Sequence, residues 1–276
     1  MTADIEASLP PDDLYHYTSI GTLALILKNR SIRLSRLDRM DDVSESVTED
    51  SAEYARHLFV SCWTADHWES IPFWHMYTPN MAGVRIKLPR QMFRSYALPS
   101  EPSRGMANDF HNCILPIERL HAHDHIVMPE AYDKFHKIEY TNDHKKLRPR
   151  LLSTKEDGAR SIAYGSLGRY KRQEWAFQSE WRYRLLILPS VPPPLRSYSD
   201  AQYLDAFLIE IGQAVTGQAC QFDSYFLDLN EQAFSSMQIL LGPKHSAGDR
   251  AIVETLIEFH NPRAELRISQ LAGTLR

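Results

Sequence analysis

The chain has 276 residues, 43% of them apolar and 24% charged, the balance of one large globular domain that builds its own core. With 35 acidic against 31 basic side chains the net charge is −4, which argues against a general nucleic-acid binder with its basic excess. Three scattered cysteines (Cys62, Cys113, Cys220) argue against a disulfide framework or a thiolate zinc site. No apolar run approaches the roughly 20 residues needed to cross a bilayer, and the acidic start (Met-Thr-Ala-Asp-Ile-Glu) is no secretion signal, so no membrane partner and a cytoplasmic place are expected.

Residues 1–12, with Pro10-Pro11, read as a lead-in. Leu14 to Tyr17 is an aromatic-rich strand. Thr18 or Ser19 suits a helix N-cap, because its hydroxyl accepts from an unpaired backbone N–H. Leu23, Ile26 and Leu27 then form the apolar face of that helix. Ser31 to Ser35 alternates as a second strand. The acidic stretch from Asp41 reads as a loop running into a helix that ends near His57. Leu58 to Thr64 is a compact strand, and Trp68 to Tyr77 is helical in its second half. Gly83 to Leu88 alternates as a strand, and Pro89 stops it.

Residues 96–170 mix Pro, Asn, His and charge, as loops over a rigid scaffold do. Met128 to His136 suggests a helix, and His136 to Tyr140 a strand. Tyr170 to Gln178 suggests a helix, Glu180 to Leu188 a strand. Pro192-Pro193-Pro194 marks a break. Gln238 to Pro243 is a short buried strand with a turn, Gly248 opens an amphipathic helix through Phe259, and Ala264 to Ile268 is a last strand. The expected organisation is a single domain, 1–276. Residues 13–95 and 171–276 would form its two halves, and 96–170 a loop-rich insertion. The expected class is α+β with a mostly antiparallel split sheet and flanking helices.

Three residues stand in recognisable frames: His16 in Leu14-Tyr15-His16-Tyr17-Thr18-Ser19, Tyr77 in Trp74-His75-Met76-Tyr77, and Glu180 in Gln178-Ser179-Glu180-Trp181-Arg182. An imidazole, an aromatic ring and a carboxylate are what a site needs to hold a nicotinamide ribose and stabilise a sugar cation. Breaking a bond from nicotinamide to ribose develops positive charge on a ribose carbon, and an ionised carboxylate stabilises it. A flat aromatic face orients the leaving ring.

These frames, with Phe59-Val60-Ser61-Cys62-Trp63, Trp175-x-x-Gln178-x-Glu180-Trp181-Arg182 and the Ile239-to-Pro243 turn, resemble the bacterial domain-of-unknown-function family 2971 over nearly the whole chain. A more distant resemblance is to ADP-ribosyltransferases of the histidine-tyrosine-glutamate type. It implies a split-sheet fold around an NAD cleft and transfer of ADP-ribose from NAD, a consumed substrate, to a protein or nucleic-acid acceptor. It implies that His16 and Thr18 hold NAD, that Tyr77 stacks the nicotinamide, and that Glu180 is catalytic with His16 and Tyr77. Gln178 resembles the first residue of a Gln-x-Glu pair and would contact the acceptor. That pair belongs to a class whose first catalytic residue is an Arg, which has no counterpart here. A toxin or phage-defence role is also what the resemblance implies.

Structural alternatives stand beside each reading. His16 and Tyr77 are also what a packed core uses, and Glu180 with Arg182 and Arg184 forms a charged ladder on one strand face. His121, His123 and His125 alternate as metal ligands on a strand would, which keeps a metal-dependent nuclease open, although a solvated loop accounts for them better. His144 to Arg150 and Arg169 to Arg172 are basic runs that suit phosphates or a solvated face. Cys62 reads as an inert buried thiol. A non-catalytic nucleotide or nucleic-acid binding module is the alternative function.

Overall fold

The computed structural model describes residues 10–50, 52–97, 112–120, 122, 124–128, 135–154, 160–189 and 220–275. Among the described residues ten strands form a large, mostly antiparallel sheet: β1 (Asp13–Thr18), β2 (Ser31–Arg36), β3 (Leu58–Thr64), β4 (Val84–Pro89), β5 (His125–Val127), β6 (Phe135–Lys137), β7 (Glu180–Pro189), β8 (Ser224–Asp228), β9 (Gln238–Leu241) and β10 (Glu265–Ile268). The longer helices are α1 (Ile20–Asn29), α2 (Ile71–Tyr77) and α3 (Ala247–His260). The α+β expectation holds at this level. The chain divides into two compact units, Met1–Asn29 with Trp63–Met92 and Glu231–Arg276, and Arg30–Cys62 with Phe93–Asn230. Their boundaries cut across the segments expected from sequence.

In the first unit β1 pairs antiparallel with β4, and β4 with β9. β9 and β10 run parallel, as a strand pair joined by a crossover helix must; that helix is α3. Leu14, His16 and Thr18 sit opposite Leu88, Ile86 and Val84, while Tyr15 and Tyr17 sit opposite Lys87 and Arg85. Successive side chains alternate between faces, so these are two different faces of β1. α1 starts where expected: Ser19 Oγ accepts from the Thr22 N–H at 3.0 Å, and Leu23, Ile26 and Leu27 are buried. A capping box of Ser246 and Asp249 opens α3, which buries Val253 and Ile257. Gly83 is required by space, because a Cβ there would lie 2.6 Å from Thr78 Cβ and nearer still to the Thr18 carbonyl oxygen.

In the second unit β8 pairs with β2 and β2 with β3, and β7 pairs with β5 and β6. Leu37, Tyr54, Ala55, Leu58, Val60, Leu151, Leu167 and Leu188 form its core. Two expected helices are replaced here. Residues 43–46 and 52–57 are 3-10 turns. The Asp42 carboxylate accepts from both the N–H and the hydroxyl of Ser44, a local bond that competes with α-helical pairing. Residues 170–171 form a short strand paired parallel with 139–140, and Gln173–Gln178 is another 3-10 turn. It ends at Ser179 in the left-handed region (φ 42°), which redirects the chain into β7. Among the described residues of the Met128-to-His136 helix expectation, 135–136 belong to β6; the rest of it from 129 to 134, and the Pro192 break, lie outside the described residues.

Candidate functional site

Gln178 and Glu180 belong to the second unit, where the first residue of β7 is built into a buried network of charge. Glu180 is 3% exposed and Arg182 wholly enclosed. Lys171 donates to Glu180 Oε2 at 2.6 Å and to Gln178 Oε1 at 2.7 Å. The Arg182 Nε–H donates to Glu180 Oε1, its Nη2 to Glu180 Oε2 at 3.2 Å, and its Nη1 to Glu45 Oε2. Glu45 Oε1 lies 3.3 Å from the Lys171 ammonium. Two acids therefore face two bases, the balance a buried ionic group needs if it is not to cost several kcal/mol per ion. The Glu180 backbone N–H donates to the Tyr140 hydroxyl at 2.9 Å, which holds the start of β7 against the 139–140 strand.

The electrostatics follow from this enclosure. Burial alone would raise the Glu180 pKa, but Arg182 and Lys171 outweigh it and hold the carboxyl at about 2. Burial opposes the charge on Arg182, and Glu180 and Glu45 more than restore it, so the guanidinium stays protonated. Burial, reinforced by the Glu180 carboxylate, pushes the Cys62 thiol up, so it is protonated and hydrogen-bonded to Glu180. That fits the inert thiol expected from sequence.

Gln178 and Glu180 thus meet on one ammonium, although not because they alternate along a strand. The left-handed Ser179 between a 3-10 turn and β7 brings them together. Lys171 and Glu45 were missed by the sequence reading. Glu45 stood in an acidic stretch and Lys171 in a basic run, both of which look like solvated surface. The bond between Arg182 and Glu45 spans 137 residues, so no local signal exists for it.

His16, Thr18 and Tyr77 belong to the first unit. His16 packs its ring on Trp63 at 5.3 Å, on the face of β1 that carries Leu14 and Thr18. Tyr77 lies against Phe73 at 5.4 Å and joins the cluster of Tyr17, Phe73, Trp74 and Met81 on the other face. His16 and Thr18 share one face of β1, and Tyr77 ends α2, with Thr78 and the Thr18 carbonyl both lying close to Gly83.

No protein-family model, curated protein or solved structure matches this chain.

His125 is held by Asp124 at 2.7 Å and packs on Phe222 and Tyr225, whereas His121 and His123 lie outside the described residues. Among the described residues no group of three or more His, Cys, Asp or Glu side chains is arranged to hold a metal ion. The basic runs are partly neutralised, Arg150 by Glu49 at 3.2 Å and Arg172 by Asp42 at 3.3 Å.

Proposed function

We propose that this chain transfers ADP-ribose from NAD to a macromolecular acceptor, with Glu180 as the catalytic carboxylate and hydrolysis of NAD as the side reaction. An ADP-ribosyltransferase-like split sheet is part of the same proposal. One observation carries it: Glu180 is kept ionised, with a pKa near 2, and shares Lys171 with Gln178. An ionised carboxylate is the group that stabilises an oxocarbenium-like ribose. In the reaction the bond from ribose C1′ to the nicotinamide nitrogen breaks and its electron pair leaves with nicotinamide. A nucleophilic oxygen or nitrogen of the acceptor, or water, bonds to C1′ and gives up its proton.

In this reading His16 and Thr18 of β1 hold NAD and Tyr77 at the end of α2 stacks the nicotinamide. Separate His16→Ala and Tyr77→Ala variants are each expected to raise the KM for NAD.

A specific observation favours the second reading, a non-catalytic nucleotide or nucleic-acid binding module. A carboxylate offers about four lone-pair sites, and Glu180 already accepts three bonds from Lys171 and Arg182 and one from Cys62. Nicotinamide release by the purified protein, with and without cell lysate, separates the two. Release by wild type that is lost in Glu180→Gln, a variant checked for folding by circular dichroism, supports transfer. No release and no NAD binding by the folded wild type would reject transfer and leave the binding module.

A further inference from the structure

The Tyr15 face of the first unit holds a cavity of about 430 Å³, lined by Tyr15 of β1, Arg85 and Lys87 of β4, Arg267 of β10, and Trp68 and Glu69. That volume lies in the range of small-ligand sites. Its cations are not equivalent. Lys87 is paired with Asp13 at 2.7 Å and Arg267 with Glu265 at 2.6 Å. Arg85 has no carboxylate partner among the described residues. Its Nη1 instead donates to the His67 carbonyl at 3.0 Å and the Tyr17 hydroxyl at 3.5 Å, and its guanidinium lies 4.7 Å from the Tyr15 ring centre. A charged fork fixed in place by neutral acceptors is preorganised for a phosphate, which it can meet through two parallel hydrogen bonds.

The acid in the cavity, Glu69, is turned toward neutral donors. Glu69 Oε1 accepts from the Gln270 N–H at 2.8 Å, and Oε2 accepts from the Trp74 indole N–H at 3.0 Å and from the Ser269 hydroxyl. Beside it Trp68 is 67% exposed, its ring 4.6 Å from that of His67. An open aromatic face next to a fixed cation suits a planar base joined to an anion.

We propose that this cavity binds a nucleoside monophosphate, the base on Trp68 and the phosphate on Arg85, with Lys87 and Arg267 at its rim. The site uses neither Glu180 nor NAD cleavage.

The test is titration of the full chain with AMP, GMP, CMP and UMP, followed by tryptophan fluorescence and calorimetry, with adenosine and inorganic phosphate as the separated halves. At least one monophosphate is expected to bind more tightly than either half. Arg85→Gln and Trp68→Ala should each weaken it by about tenfold or more. Trp68 is exposed, so its replacement leaves the fold intact and decides the matter even where Arg85→Gln proves unstable. Absence of binding by all four at millimolar concentration, or unchanged affinity in Trp68→Ala, would overturn the proposal. Nicotinamide release assayed on the same samples keeps the two proposals separate: monophosphate binding without release rejects transfer alone, and release without monophosphate binding rejects this site alone.

Discussion

Replacing Glu180 by Ala leaves Lys171 and Arg182 facing each other without their shared carboxylate in a buried setting. Breaking a buried ion pair from one side costs about 3–5 kcal/mol, and urea denaturation of Glu180→Ala is expected to show a loss of that order. Acid acts on the same group. Its folded pKa of about 2 lies below the 4.5 of a free glutamate, so its contribution is complete above pH 4.5 and disappears as pH falls toward 2. His57 responds earlier. Burial holds it at about 4 against an ordinary 6.5, so between these values the unfolded chain takes up a proton that the folded chain refuses. Stability is therefore expected to fall as pH drops from 6.5 to 4, by up to about 3 kcal/mol for this one group. Urea midpoints measured across that window should fall more steeply for wild type than for His57→Gln; parallel slopes would show that His57 is not the acid-labile group.

Elements with local punctuation were legible. The Ser19 cap with Leu23, Ile26 and Leu27, the amphipathic spacing of α3 through Phe259, and the alternation along β4 and β7 all carry their structure in neighbouring residues. Ser246→Ala removes an acceptor from the first turn of α3 and is expected to cost about 1 kcal/mol, visible as a lower thermal midpoint. Gly83→Ala should cost more, roughly 1–3 kcal/mol, because its Cβ collides with the Thr18 carbonyl and the Thr78 side chain in a filled interior. A thermal midpoint in Gly83→Ala equal to wild type would mean that this close approach relaxes freely. The segments at 43–57 and 170–178 were misread because apolar spacing cannot report side chains such as Asp42 that bond their own backbone, nor a left-handed residue such as Ser179.

Each compact unit is assembled from separated stretches of chain, which makes its core dependent on distant segments. Removing residues 231–276 takes β9, β10 and α3 from the first unit, together with buried Phe234, Ile239, Leu241, Val253 and Ile257, and leaves β4 as an open edge. The truncated chain is expected to aggregate or to lose its near-ultraviolet tryptophan signal; a soluble product with the wild-type spectrum would refute that dependence. By itself the amino-acid sequence determined the α+β class and the position of most strands and longer helices, because capping and alternation act over short stretches; Gln178 and Glu180 meet through the left-handed Ser179 instead. Only the tertiary structure decided that Glu45 and Lys171 neutralise Glu180 and Arg182, and that Arg85 and Trp68 line one cavity. Ion pairing across more than a hundred residues and packing between strands depend on where the chain returns in space, and single-residue chemistry holds no record of that.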